Sequence, residues 1–362
     1  MFEPMRIRSR LRDYTVHFAG DFRETLARAL HGGGFLMGDA NVYKHYRDDL
    51  DNIACEEARL LLEPSESTKT METCTEIIER LVDSGVRRGQ TLVALGGGVI
   101  QDVTAFTASI LYRGIEWSFV PTTLLGQADS CIGSKSSINL GDKKNLVGSF
   151  YPPSEVFIHT SFLESLPADE IRSGIGEILH YYLYANSPKL ELLVEKYADL
   201  IADPTLLTEH IYESLTIKKP VVEADEFDLG ERQKFNYGHT FGHAIESLTA
   251  YSVNHGQAVT VGMDMANYLS VWLGLMGQDR YKSLRALLTV NFPSYDWSTI
   301  DVDRYMALLA CDKKNTLDGV LTCILAEGPG NLRKHDVPLD GELRSVIARY
   351  LADAGSNVRS LG

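Results

Sequence analysis

The spacing of apolar residues changes along the chain, and each change marks an element. Tyr14-Thr15-Val16-His17-Phe18-Ala19 alternates apolar and polar positions and predicts a strand; Gly34-Phe35-Leu36-Met37-Gly38-Asp39 predicts another, ending at Asp39 and Asn41. The polar run Glu63-Pro64-Ser65-Glu66-Ser67-Thr68-Lys69 predicts a loop, then an amphipathic helix through Met71, Ile77, Ile78 and Leu81 that ends near Gly85. Leu92-Val93-Ala94-Leu95 is a buried strand, Gly96-Gly97-Gly98 a tight turn, and Val99-Ile100-Gln101-Asp102 the start of a helix reaching Arg113-Gly114. A further strand, Trp117-Ser118-Phe119-Val120, runs into Pro121-Thr122-Thr123-Leu124-Leu125. Strands alternating with helices predict a nucleotide-binding α/β domain over residues 1–160. From Asp129 to Asn139 and Gly141 to Asn145 the chain is rich in glycine, serine and lysine without helical spacing, which predicts a polar loop. A short strand follows Tyr151-Pro152-Pro153. Beyond Phe162, long amphipathic segments predict a mostly α-helical domain over residues 161–362.

Composition narrows the classes without naming a function. The chain has 362 residues, 44% of them hydrophobic, enough for two buried cores. A formal charge of −14 argues against nucleic acid or an anionic membrane as partner, though local basic residues can still line a phosphate pocket. Five scattered cysteines, Cys55, Cys74, Cys131, Cys311 and Cys323, form no CxxC pair and fit small core positions in a reducing compartment. No apolar run is long enough to span a bilayer, so the expected location is the cytoplasm.

Candidate chemistry concentrates between Glu231 and Gly256. On one continuous helix, Asn236, His239 and His243 would share a face. A pair of histidines one turn apart is equally well accounted for by a satisfied core. Here, however, His255 follows closely, and Glu177 stands as a carboxylate in the apolar run Gly174-Ile175-Gly176-Glu177-Ile178-Leu179-His180. Glu177, His239 and His255 would give the nitrogen and oxygen ligands of a catalytic zinc with a position left open, and His243 would be free to act on substrate. In the other half, Gly96-Gly97-Gly98 before a helix would let backbone N–H groups approach a pyrophosphate, although the plain alternative is a tight strand–helix turn. Taken alone, Glu66, Lys69 and Lys143 read as solvated surface. The glycine turn and the zinc ligands fall in different halves, so the cleft between the two domains is the expected site.

Taken in order, these residues resemble the 3-dehydroquinate synthase superfamily of sugar-phosphate cyclases from about Asp39 to Gly319. The resemblance implies a dehydroquinate synthase-like fold and NAD+ held by Asp39, Asn41, Glu66, Lys69, Gly97, Gly98, Val99, Asp102, Thr122, Thr123, Leu125 and Lys144, with a further contact turn from Phe162 to Ser165. It implies Zn2+, with Co2+ as a substitute, on Glu177, His239 and His255. Substrate would meet Asp129, Lys135, Asn145, Lys218, Arg232, Asn236, His243 and a lysine of Lys313-Lys314, and Arg113 would reach the phosphate of a neighbouring subunit in a homodimer.

Two positions depart from the family pattern. His180 stands where dehydroquinate synthases carry lysine, and the loop usually written Gly-Gly-Lys-Thr-Gly is Gly133-Ser134-Lys135-Ser136-Ser137. A histidine is shorter than lysine and titrates near neutrality, so either the contacts to substrate hydroxyls or the stereochemical course is expected to differ. Arg232 is retained, and its planar fork suits a carboxylate. The resemblance therefore implies transient oxidation of a secondary alcohol, phosphate elimination, return of the hydride, and an intramolecular aldol closure of a heptulosonate phosphate. Other expectations are cyclisation of sedoheptulose 7-phosphate or another neutral sugar phosphate, a zinc-dependent polyol dehydrogenase on the same architecture, and a nucleotide-binding scaffold without catalysis.

Overall fold

Runs rich in β-branched and aromatic residues assemble into one mixed sheet, seen in a computed structural model that describes all residues except Met1, Ala19, Asp142, Lys313, Thr316 and 359–362, with side chains through Asp353. The strands are β1 (Met5–Ile7), β2 (Tyr14–Phe18), β3 (Phe35–Asp39), β4 (Arg59–Leu62), β5 (Thr91–Gly96), β6 (Glu116–Pro121), β7 (Lys135–Leu140), β8 (Lys143–Phe150), β9 (Glu155–Ile158), β10 (Val320–Ala326) and β11 (Leu332–Pro338). Seven of them form a sheet in the order β1-β2-β9-β6-β5-β3-β4, parallel except for the β1–β2 pair. The continuous apolar run of β5 reflects burial on both faces, as parallel sheets require. Phe22, Leu26, Leu36, Val93, Leu95, Val120 and Phe157 pack on one side of it. β1 and β4 carry too little alternation to stand out in the sequence.

The chain divides into two compact units, Met1–Pro167 with Asp203–Asp228, and Ala168–Ala202 with Leu229–Gly362. The contiguous division expected at residue 160 differs from this. The segment 203–228 returns to the first unit because its helix Thr208–Ala224 packs there, with Phe2 stacked on Tyr212 at 4.5 Å between ring centroids and Arg8 paired to Glu223 at 2.9 Å. The second unit is helical, as expected, but also contains the antiparallel pair β10–β11.

The polar loop expected from 129 to 145 is instead built structure. Gly126–Ser130 forms one turn of π-helix, and β7 and β8 form an antiparallel hairpin. Ser136 and Ile138 face inward on β7 while Lys135 faces out, so the alternation exists but serine takes a position where an apolar residue would have announced a strand. Cys74, Cys131 and Cys323 are buried, as expected for small core residues, whereas Cys55 and Cys311 are exposed. Among the described residues no helix is long and apolar enough to cross a membrane.

Candidate active site

In the second unit, three helices bring one carboxylate and two imidazoles together. Glu177 lies on the helix Ala168–Ala185, His239 opens the helix His239–Leu248, and His255 opens the helix His255–Trp272. Glu177 Oε1 is 3.4 Å from His239 Nε2 and 3.2 Å from His255 Nε2, and the three ligand atoms lie within 4.8 Å of one another. Glycines permit this convergence. A Cβ on Gly176 would sit 2.1 Å from the Gly256 carbonyl oxygen, and one on Gly256 would sit 1.7 Å from that of Ser173, so the two backbones touch beside Glu177 and His255. Gly238, at φ +80°, turns the chain into the His239 helix, and Gly262 lies against its carbonyl.

The protonation pattern suits a metal. His239 Nδ1 lies 3.2 Å from the Tyr237 carbonyl and His255 Nδ1 lies 3.1 Å from Glu246 Oε2. Both partners only accept, so each Nδ1 carries the proton and each Nε2 is left to coordinate. Glu177 is almost completely buried, and its Oε1 accepts no hydrogen bond. Such an orphaned buried carboxylate oxygen is costly unless a cation meets it. Burial opposes charge at both groups, yet the neighbouring rings hold Glu177 well below the usual carboxylate range. Against the same burial, Glu246 and Glu177 hold the His255 imidazolium well above its own usual range. The residues present therefore fit a divalent ion, whose binding would displace a proton from a ring Nε2.

The continuous helix through Asn236, His239 and His243 is not formed. Glu231–Asn236 is a 3-10 turn, the chain breaks at Tyr237-Gly238, and Asn236 Nδ2 donates to the Gln233 carbonyl at 2.9 Å. His239 and His243 do share a helix face, with ring centroids 5.6 Å apart. Arg232 is buried in the 3-10 turn. His180 is fully buried, its ring 5.2 Å from that of His239, and its Nδ1 is 3.9 Å from Glu177 Oε2, too far for a hydrogen bond. Lys314 is paired to Asp312 at 2.8 Å, and Lys313 lies outside the described residues. Glu246 received no role from the sequence; its spacing from His243 on one helix face was the available signal.

The first unit gathers its own candidates into groups. Around the glycine turn, Thr122 N–H donates to the Gly96 carbonyl, and a Cβ on Gly97 would meet Thr123 Cγ2 at 2.8 Å. Asp39 caps the helix Ala40–His45 by accepting from the N–H groups of Asn41 and Val42, with its carboxyl pushed up by burial. Gly98 and Val99 open the helix Gly98–Ile110, which has no side-chain cap, and a Cβ on Gly98 would meet nothing within 4 Å. A helix start without a side-chain cap, with open space beside Gly98, fits the pyrophosphate of a dinucleotide. Leu125 leads into the π-helical turn.

A second group joins distant stretches. Lys69 Nζ lies 2.8 Å from Asp102 Oδ2 and donates to Asn145 Oδ1 at 2.8 Å, while Glu66 lies 3.7 Å from Lys69 and from Lys144. Elsewhere, Lys218 Nζ donates to the Asp129 carbonyl and carboxylate at 2.6 and 2.7 Å, and Lys135 pairs with Asp228 at 2.6 Å. Phe162 is a core residue, tilted against Phe22 and edge-on to Tyr46, and Ser165 contacts the Tyr46 hydroxyl at 3.1 Å; the cofactor-facing turn expected there has its aromatic side chain turned inward. Arg113 is exposed, with both Tyr112 and Arg113 in the left-handed region.

Residues 59–173 match the family model for the 3-dehydroquinate synthase N-terminal region, and residues 174–315 match that for its C-terminal region. The chain is 34% identical over 346 residues to a 3-dehydroquinate synthase of Alkaliphilus metalliredigens (strain QYMF), covering 93% of this chain and 96% of the relative. The chain belongs to the 3-dehydroquinate synthase family. It is accordingly an enzyme, a phosphorus–oxygen lyase of the 3-dehydroquinate synthase-like sugar-phosphate cyclases. The fold of this family member agrees with two solved cyclases. A 2-deoxy-scyllo-inosose synthase complexed with carbaglucose-6-phosphate, NAD+ and Co2+ superposes with a TM-score of 0.83 and 26% identity, covering 96% of this chain and 99% of that one. The 2-epi-5-epi-valiolone synthase of Streptomyces hygroscopicus subsp. jinggangensis 5008, with NAD+ and Zn2+ bound, does so with a TM-score of 0.79 and 27% identity, covering 94% and 97%.

Proposed function

We propose that this cyclase converts a phosphorylated sugar acid, a heptulosonate phosphate, to a carbocycle in the cytoplasm, with Zn2+ or Co2+ on Glu177, His239 and His255 and NAD+ at the Gly96-Gly97-Gly98 turn. The observation that carries the reading is the convergence of Glu177 Oε1 with two Nε2 atoms whose Nδ1 partners are already engaged. When bound, the metal supplies Lewis acidity toward a substrate oxygen, and NAD+ supplies a reversible hydride acceptor.

The side chains supply charge and orientation. Asp129 fixes the Lys218 ammonium through its carbonyl and its carboxylate. Arg232, buried and planar, orients a carboxylate by paired donors. Lys135, Asn145, Lys314 and Lys313 present donors and charge to a departing phosphate, and exposed His243 exchanges a proton beside the metal ligands. Asn236 contributes an amide to the substrate. Arg113, exposed in a turn of consecutive left-handed residues, reaches a phosphate of a second copy in a homodimer. Asp39, Asn41, Glu66, Lys69, Asp102, Thr122, Thr123, Leu125, Lys144 and Ser165 hold the dinucleotide.

His180 favours a second reading, in which a neutral sugar phosphate is cyclised, because lysine is expected there in a dehydroquinate synthase. Incubation with the sugar-acid phosphate and with neutral sugar phosphates separates the two. The acid is expected to release phosphate without net NADH, and both chelation and His239→Ala are expected to stop the release. Arg232→Ala should erase the preference for the acid, a change of about 2 kcal/mol, the order of a lost charge-assisted pair. Phosphate release that survives metal removal overturns the metal assignment, and equal turnover of neutral sugars by the unaltered enzyme overturns the substrate assignment.

A further inference from the structure

Resting on the metal reading above, we propose that Glu246 is a positioning residue for the metal ligand His255, fixing the ring so that Nε2 rather than Nδ1 faces the ion. Glu246 stands two turns after His239 on the same helix, and its Oε2 accepts from His255 Nδ1 at 3.1 Å. One helix thus supplies one ligand and the orienting group of another. Nothing in the helix His255–Trp272 does this work: His255 is its first residue, and Asn254 makes no side-chain cap bond. The backbone carbonyl of Tyr237 performs the equivalent task for His239, but a carboxylate also raises the basicity of the ring it holds.

The location of Glu246 adds an independent argument. An acid in the last turn of a helix opposes the helix dipole, so the glutamate contributes nothing favourable to the helix that carries it. Its side chain is only 15% exposed. A partly buried carboxylate at an unfavourable helix end is explained by its partner. His243, Glu246 and His255 also offer three ligand atoms within 4.8 Å of one another, but His255 Nδ1 is engaged by Glu246 and its Nε2 faces Glu177 Oε1 at 3.2 Å.

The test strips metal from the full-length enzyme and titrates it with Co2+, following visible absorption, and with Zn2+ against a competing chelator. The unaltered chain is expected to take up one equivalent; Glu246→Gln is expected to bind ten- to a hundredfold more weakly, roughly the span for a lost orienting group, with an altered Co2+ spectrum and an unchanged metal-free melting temperature. Glu246→Asp, which keeps the charge but shortens the reach, should also bind more weakly and serves if the glutamine variant fails to fold. Equal affinity of the unaltered chain and the variants overturns the proposal. A second equivalent of Co2+ that disappears in Glu246→Gln also overturns it, by making Glu246 a ligand. No uptake by the unaltered chain overturns the metal reading and this proposal with it.

Discussion

Lys69 decides how the cofactor-side group holds together. Its side chain is 7% exposed, and its ammonium is shared between Asp102 and Asn145, each at 2.8 Å. Asp102 also accepts from the Ser137 N–H and hydroxyl, and burial nevertheless pushes its carboxyl above the usual range. Replacing Lys69 by methionine leaves a partly buried carboxylate, 18% exposed, without its cation. Lys69→Met is therefore expected to destabilise the first unit by about 3 kcal/mol in urea unfolding, with much of the loss recovered in Lys69→Met/Asp102→Leu. A loss below about 0.5 kcal/mol, the scale of exposed pairs, would mean that water already screens Asp102. The sequence exposed Lys69, Asp102 and Asn145 as separate polar residues, but not their union. Lys69 and Asn145 are 76 positions apart, and only the β7–β8 hairpin closes that distance.

At the scale of elements, the geometry of the candidate metal site is a matter of helix spacing. The helices of Glu177 and His255 approach until backbone touches backbone at Gly176 and Gly256, and Gly256 N–H also donates to Ser173 Oγ at 3.1 Å. A methyl group on Gly256 meets a carbonyl oxygen that cannot rotate away. Gly256→Ala should push the helices apart and cost at least about 1–3 kcal/mol, the range for overpacking, while metal stoichiometry falls below one per chain. Full metal uptake by that variant at unchanged melting temperature would show that the helices can slide without separating Glu177 from His255. The candidate metal ligands could be named from the sequence because side-chain chemistry is written there, and the structure brings their three ligand atoms within 4.8 Å of one another. The close helix contact was not: Gly174-Ile175-Gly176 and His255-Gly256 look like any small residues until the partner helix is known. The same limit explains Asn236, whose expected face depended on helix continuity that Gly238 interrupts at positive φ.

For the whole molecule, alternation and apolar runs sufficed for the α/β half, while β10, β11 and the return of residues 203–228 to the first unit depended on long-range packing that no local period encodes. Long-range packing also sets the pH response through Asp264. This residue is completely buried on the His255 helix, where its carboxylate accepts from the Tyr350 hydroxyl at 2.8 Å and lies 3.3 Å from Arg285 Nη1. Burial raises its pKa from 3.8 to about 6, the nearby Arg285 and hydroxyl groups offsetting only part of the effect. The folded chain thus binds this proton more tightly than the unfolded one. Its stabilising contribution is complete below about pH 4 and is lost as pH rises through about 6, leaving the ionised form disfavoured by roughly 3 kcal/mol at neutral pH. Glu177, held low, works the other way as pH falls, so the unaltered protein alone does not isolate Asp264. The difference between it and Asp264→Asn does, because Glu177 is common to both. In denaturant unfolding from pH 4.5 to 7.5, the asparagine variant should gain on the unaltered chain as pH rises toward about 6, the difference levelling off above that. Parallel curves would mean that Arg285 keeps Asp264 ionised throughout that range, and that the buried cluster behaves as a fixed ion pair and not as a proton-binding site.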